Sequence, residues 1–257
     1  MVDAAKLDQA CRDLDAYAAT LDEESRVYWH YHRHRFRWMG EVVEELVAEK
    51  QHHGFRPTRL LDIGNSYQTL LIESLIADAR IDTLGFLAPR YQPKGEFTDI
   101  PFDLNDSFYP ERWPKVPEPD RYDIVLMLEV IEHLYTAPTQ VLACLASLMK
   151  PGGFIVVQTP NAVSLVKRLR MLGGRNPYEL IREVRNNPGH FREYSRDELC
   201  HLAAQAGLFV KHQWINNLID YGNRFEDRCA KLSRMLPATF RDNLTVVFEY
   251  KPELLKG

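Results

Sequence analysis

A mainly parallel α/β sheet with helices on both faces is what this sequence predicts, and two observations carry the prediction. From residue 58 onward, short apolar runs alternate with helical stretches, the rhythm of strand–helix–strand units. One run, Tyr122–Leu128, has the continuous apolar character of a strand buried on both faces. Ahead of that rhythm, residues 4–24 and 25–50 read as two helices, rich in good helix formers and free of Gly or Pro until Gly40. The expected division is an N-terminal helical cap, residues 1–54, and one α/β domain, residues 55–257, with substrate-side insertions at about 160–196 and 216–243.

The elements follow in order. Residues 59–63 form a short apolar run that stops at Gly64, and 67–79 reads as the helix after it. Residues 81–86 and 97–102 are the second and third strand candidates. The segment 110–120 carries four prolines and reads as loop or broken turn. After the buried strand Tyr122–Leu128 comes a helix over 138–149. Pro151-Gly152-Gly153 reads as a stop signal before the strand 154–158. Ser195, with Glu198 three residues on, has the pattern of a capping box opening a helix over about 195–206. Strand candidates 208–215 and 244–250 finish the chain.

At 257 residues the chain can bury a full core. Its 45% hydrophobic and 26% charged residues exclude a mostly disordered or collagen-like chain. A net charge of −4 argues against a general nucleic-acid binder. No apolar run approaches the roughly 18–20 residues that span a bilayer, and the first residues show no secretory pattern. The four cysteines stand far apart with no C-x-x-C pair, as suits reduced thiols. The expected location is the cytoplasm.

In an open parallel sheet the ligand sits beyond the carboxyl ends of the strands, so the residues just after each strand are the informative ones. After the first strand, Asp62 and Gly64 are followed by Asn65, Ser66 and Gln68. A glycine there lets a ligand approach the backbone, and the following helix offers free N–H donors. After the third strand stands Asp103-Leu104, an acceptor beside an apolar surface. After the fourth, Leu128 and Glu129 lead into Glu132 and His133, a histidine among carboxylates that can serve as a general base.

Taken in order, LLDIG, FDLND, YDIVLMLEVIEHL, LMKPGGFIVVQTPN, HFREYSRDEL and AGLFV resemble the class I S-adenosylmethionine-dependent methyltransferases. The closest likeness is to the small-molecule O-methyltransferase branch that includes the ubiquinone-biosynthesis enzymes, over about residues 58–215. The resemblance implies a Rossmann-like seven-stranded sheet of order 3-2-1-4-5-7-6 with its last strand antiparallel. It also implies S-adenosylmethionine as cofactor, bound by the loop Asp62, Gly64, Asn65, Ser66 and Gln68. Adenine contacts fall to Asp103 and Leu104, and methionine-side contacts to Leu128 and Glu129.

The chain departs from that family at two points. Its first loop usually reads G-x-G-x-G, whereas Ser66 and Gln68 stand at the second and third glycines here; Ser66 is also a good helix N-cap. After the second strand, Leu87 stands where the family places the acid that binds the ribose hydroxyls.

In the cap, Tyr28, Tyr31, Arg35, Met39, Val42 and Leu46 fall on one helical stripe, with His32 beside it. A charge amid an apolar stripe needs a partner. Related enzymes use such an arginine for the cofactor's carboxylate, which makes Arg35 a cofactor candidate. The neighbouring histidines lack a carboxylate or cysteine at ligand spacing, so no metal site is expected. The insertion 160–196 carries Lys167, Arg168, Arg170, Arg175, Arg182, Arg185, Arg192 and Arg196 against three glutamates. That positive excess suggests an anionic acceptor, such as a phosphate-bearing sugar or lipid-linked glycan. Its amphipathic stretch 163–172 allows peripheral membrane contact. His190 follows the insertion, and related enzymes bring it back to the site. His133 and His190 are thus the two candidate bases, His133 the stronger for its place at a strand end.

The expected activity is methyl transfer to a hydroxyl of a small molecule or anionic glycan, with N-methylation left open. The rival is a catalytically inactive, methyltransferase-like binding or scaffold module, motivated by the altered glycine loop and Leu87. An NAD-dependent oxidoreductase also fits a glycine turn in a parallel sheet, but the missing third glycine and the EVIEHL and KPGG segments count against it.

Overall fold

Capping and burial pattern define the two N-terminal helices. Asp3 caps α1 (Ala4–Ala19), its side chain accepting from the N–H groups of Ala5 and Lys6. A turn at residues 20–22 leads into α2 (Glu23–His52), thirty residues long. Gly40 lies inside α2 because a neighbour comes close: a Cβ there would stand 3.1 Å from a methyl of Leu75. The computed structural model describes residues 3–256 apart from 53, 55–56, 87–90, 118–120, 185–187, 220–221 and 223.

Beyond the helices run β1 (Thr58–Ile63), α3 (Tyr67–Leu75), β2 (Ala79–Gly85), β3 (Asp99–Pro101), β4 (Tyr122–Leu128), α4 (Pro138–Ser147) and β5 (Met149–Pro160). They are followed by α5 (Leu165–Leu172), α6 (Arg196–Ala204), β6 (Leu208–Asn216), α7 (Arg224–Ser233) and β7 (Asn243–Tyr250). The strands form one seven-stranded sheet of order β3-β2-β1-β4-β5-β7-β6. All pairings are parallel except those of β7, which runs antiparallel to β5 and to β6. This is the order and strand polarity that the resemblance implied.

Pleating sends alternate residues to opposite faces. Leu60, Ile124 and Leu126 join a core with α1, α2 and α3, while Leu61, Val125 and Met127 join another with α4 and α6. Both faces are therefore covered. Trp29, Phe36 and Tyr67 are fully buried in the first core, and the Tyr67 hydroxyl donates to the Ser25 carbonyl at 3.0 Å. That contact ties the loop after β1 to α2.

One local expectation differs from the structure. Pro151-Gly152-Gly153 does not stop the chain but lies within β5, where Asp123 alone of β4 separates the pairs Tyr122↔Met149 and Ile124↔Phe154. Gly152 takes φ +76°, and a Cβ on Gly153 would meet the Lys150 carbonyl at 2.8 Å, so the glycines build a bulge rather than an end. The proline-rich stretch, expected as loop or broken turn, holds a 3₁₀ turn, Pro110–Arg112, with proline at its first position.

Candidate functional site

The order β3-β2-β1-β4 reverses direction between β1 and β4, and their carboxyl ends open the crevice in which such sheets hold ligands. On the β1 side, Gly64 takes φ +70°, a conformation that favours glycine, and its N–H donates to the Leu84 carbonyl at 2.9 Å. A side chain on Gly85 would begin 3.5 Å from the Gly64 nitrogen, so the two loops meet through bare backbone. Asn65 follows, half-buried.

Ser66 opens α3 as a capping box: its hydroxyl accepts from Gln68 N–H, and its own N–H donates to Thr69 Oγ1 at 2.9 Å. Thr69 in turn donates to the carboxylate of Asp62. Asp62 is buried, and burial pushes its pKa up to about 7 against the opposing pull of Thr69 and of the more distant Arg35. Gln68 is also buried, with neither amide atom hydrogen-bonded. Asp103 caps the short 3₁₀ turn Leu104–Phe108 by accepting from Asn105 N–H at 2.9 Å, while Leu104 packs into the core beside α4. Leu87 lies outside the described residues.

Arg35 is 2% exposed, which decides against a side chain reaching along the surface to water. Its Nε donates to His32 Nδ1 at 3.2 Å and its Nη1 to Gln158 Oε1 at 3.0 Å. Burial and the nearby guanidinium hold His32 neutral, with its pKa pushed down to about 2. From Gln158 a chain of hydrogen bonds crosses the sheet. Gln158 Nε2 donates to Thr245 Oγ1 at 2.9 Å, Thr245 Oγ1 to Asn243 Oδ1 at 3.5 Å, and Asn243 Nδ2 to Glu129 Oε1 at 2.8 Å. Every donor points the same way, from guanidinium to carboxylate. Glu129, just past the half-buried Leu128, has φ +57°, the one positive φ at a non-glycine among the described residues. Such a conformation costs about 1–2 kcal/mol. The Asn243 contact and a 2.8 Å bond from its N–H to the Gln158 carbonyl hold it there.

On the β4 side, His133 and His190 meet edge to face with ring centroids 4.9 Å apart. His133 Nδ1 lies 2.9 Å from the Gly189 carbonyl. A carbonyl only accepts, so Nδ1 carries the proton and Nε2 the lone pair. His190 Nδ1 lies 3.0 Å from Glu193 Oε1, and burial, reinforced by His133, lowers its pKa to about 4. Glu132 is wholly buried, and burial together with Glu129 raises its pKa well above the usual carboxylate range. Glu132, His133 and His190 each offer a ligand atom within 4.8 Å of the others, a grouping able to hold a divalent cation. These are not the α2 histidines in which the sequence reading looked for metal ligands.

One cavity of about 620 Å³ is lined by Tyr28, His32 and Glu129 together with Glu132, His133 and His190. A family model described as a methyltransferase domain matches residues 29–213, a stretch that includes the glycine turn after β1, Glu129 and both histidines. The chain belongs to this methyltransferase family. Among curated relatives, a ubiquinone biosynthesis O-methyltransferase of Aeromonas salmonicida is 29% identical over 93 residues, 36% of this chain and 38% of that one. A probable S-adenosylmethionine-dependent methyltransferase of Mycolicibacterium smegmatis is 32% identical over 98 residues, 38% of this chain and 33% of that one. The matches thus span little more than a third of either relative.

Two solved structures share the fold. A chain of the Haloferax volcanii complex between the Trm112 methyltransferase activator and a methyltransferase superposes with TM-score 0.55 at 17% identity, covering 92% of this chain and 97% of that one. The Burkholderia thailandensis 1,6-didemethyltoxoflavin-N1-methyltransferase, solved with S-adenosylhomocysteine, gives 0.51 at 13% identity, covering 96% and 88%.

The cofactor of this methyltransferase class is S-adenosylmethionine, and the residues present fit it. Arg35 is a buried cation with a neutral imidazole and a neutral amide as its hydrogen-bond partners, as suits a ligand carboxylate. Asp62 is a buried acid without an ion pair among the described residues, as suits a ligand cation, and the Gly64–Gly85 approach leaves backbone open to contact.

The positive excess of the insertion is answered in part, by Asp197, Glu198 and Glu226 from other elements. Lys167 pairs with Glu193, Arg170 with Glu226, Arg182 with Glu179, Arg192 with Glu198 and Arg196 with Asp197. Arg168 donates to the Val163 carbonyl and covers the Phe240 ring at 4.2 Å, while Arg185 lies outside the described residues. Gln158, Asn243 and Asp242 escaped the sequence reading. The signal for the first two was a polar side chain in an otherwise apolar strand. No described helix is long and apolar enough to cross a membrane.

Proposed function

We propose that this methyltransferase O-methylates a hydroxyl of a small molecule or glycan, with His133 as general base and His190 beside it. The observation that carries the reading is the shared cavity, onto which both Glu129 at the cofactor edge and the two histidines open. Arg35 would hold the carboxylate of S-adenosylmethionine, and Asp62 and Glu129 its cationic amine. Gly64 to Gln68 would pass beneath its sugar, and Leu104 and Asp103 would flank its base. When bound, the cofactor supplies a methyl carbon on a positively charged sulfur.

The protein's part is alignment and proton removal. Holding the acceptor oxygen at near-attack distance, roughly 3–3.5 Å, removes most of the entropic cost of the encounter. A hydroxyl is a poor nucleophile at neutral pH, and His133 Nε2 bears the lone pair because the Gly189 carbonyl keeps the proton on Nδ1. The O-methyl reading draws on this base and on the ubiquinone-branch likeness.

The deciding experiment is calorimetric titration with S-adenosylhomocysteine, after denaturation has excluded a co-purified ligand. Micromolar binding is expected. No binding up to millimolar concentration would leave a methyltransferase-like binding module without catalysis.

A further inference from the structure

Among the described residues, the charges on the acceptor side of the cavity do not balance. Three cations line it, each engaged by a carboxylate of the same wall: Lys167 by Glu193, Arg170 by Glu226 at 2.8 Å, and Arg182 by Glu179 at 3.7 Å. Glu129 is set aside for the cofactor. Glu132 and Asp242 remain, with exposed Glu24 at the rim.

Both remaining acids are incompletely satisfied. Glu132 is wholly buried; Oε2 accepts from Thr159 Oγ1 at 3.0 Å, and Oε1 is buried with no hydrogen-bond partner. Asp242 Oδ1 accepts from Leu218 N–H at 3.3 Å, and its Oδ2 is likewise buried and unpartnered. Native proteins leave few buried polar atoms unpaired, and two on one cavity wall point to a donor that arrives with the ligand. Among the described residues neither carboxyl pairs with a lysine or arginine, His133 Nε2 standing 3.9 Å from Glu132 Oε1, and a bound cation suits two such acids better than an anion does. This favours a cationic acceptor over the anionic one expected from the count of lysines and arginines in 160–196.

Resting on the methyl-transfer reading, we propose that the acceptor is a cation: a hydroxyl compound carrying a protonated amine, which Glu132 and Asp242 hold. The amine is the handle and not the methylated atom. Next to carboxylates it keeps its proton and has no lone pair to offer, so the methyl goes to the hydroxyl that His133 deprotonates. Amino sugars and amino alcohols have this chemistry.

The test uses the full chain, treated with EDTA and saturated with S-adenosylhomocysteine, titrated with glucosamine, glucose and glucose 6-phosphate. Glucosamine should bind about tenfold more tightly than glucose, equivalent to ~1.4 kcal/mol, and glucose 6-phosphate should bind most weakly. Asp242→Asn should bring glucosamine to the level of glucose while the affinity for S-adenosylhomocysteine stays unchanged. Glu132→Gln should act in the same direction, and Asp242→Asn serves alone if loss of the buried Thr159 contact prevents folding. Tighter binding of glucose 6-phosphate overturns the proposal, as does an equal or absent response to all three up to tens of millimolar. Loss of the amine preference in millimolar magnesium also overturns it, because the acids then belong to a metal at Glu132, His133 and His190. Failure of S-adenosylhomocysteine itself to bind refutes the methyl-transfer reading instead, and the order of the three sugars, repeated without it, is read separately.

Discussion

The two halves of the candidate site are built in different ways. The proposed cofactor half centres on the eight residues 62–69: Asp62, Ser66 and Thr69 hold one another through a single strand–helix turn, and Gly64 supplies the backbone approach. The acceptor half has no such local unit. Glu132 and His133 follow β4, Gly189 and His190 return from the insertion, and Asp242 precedes β7, more than a hundred residues beyond Glu132. A site made by a local turn leaves a motif in the sequence, whereas a site made by chain return leaves scattered residues whose charges say nothing until their partners are known.

The largest test of this division is His133→Ala. Removing a general base should lower turnover by about 10²–10⁴, with the calorimetric affinity for S-adenosylhomocysteine held within about twofold. A parallel collapse of affinity would show that the two halves are one unit. Arg35→Met should have the next largest effect and the opposite profile. Charge-assisted hydrogen bonds are worth about 1.5–3 kcal/mol each, so cofactor affinity should fall at least about tenfold and turnover at saturation much less.

The chain of bonds from Arg35 to Glu129 links the N-terminal helix to the strand ends, and Thr245→Val cuts it in the middle. The expected cost is about 1–3 kcal/mol of cofactor affinity. In a double-mutant cycle with Arg35→Met the two losses should not add. Additive losses would mean that Arg35 and Glu129 act independently.

The smallest effect is one of pH. Asp62 titrates at about 7 in the folded chain, because it is buried, against about 3.9 for a free aspartate. Between those values the folded chain holds a proton that the unfolded chain has released, so this group's contribution to stability falls as pH rises through that window. His190 acts oppositely. Lowered to about 4 by burial, it loses stability as pH falls from about 6.5 towards 4. Asp62→Asn removes only the first slope. Its melting temperature, without cofactor, should exceed that of the wild type by several degrees at about pH 8 and match it near pH 4, at about 2–4 °C per kcal/mol. An equal offset at both pH values would mean that Asp62 is ionised throughout.

Much of the fold was legible because it rests on local rules. Continuous apolar runs, Ser66 and Ser195 as caps, and the glycine after β1 each state a constraint that neighbouring residues satisfy. The Pro151-Gly152-Gly153 signal was misread for the converse reason: a glycine pair serves a helix end or a strand bulge equally well, and only the partner strand chooses. The positive excess of 160–196 is likewise a matter of partners outside the segment, since Asp197, Glu198 and Glu226 offset part of it from other elements.

By itself, then, the sequence determined the alternation of strands and helices and the family, and it named the cofactor candidates and the two candidate histidines. Periodicity and turn chemistry act over a few residues, and the family motifs sit on those turns. Only the tertiary structure decided that Arg35 is buried and tied to Gln158, that Glu129 is held left-handed by Asn243, and that the acceptor side has carboxyls to spare. Electrostatic balance belongs to whichever charges meet in space. Chain return from β5 through the insertion to β7 sets those meetings, and no local stretch of sequence records them.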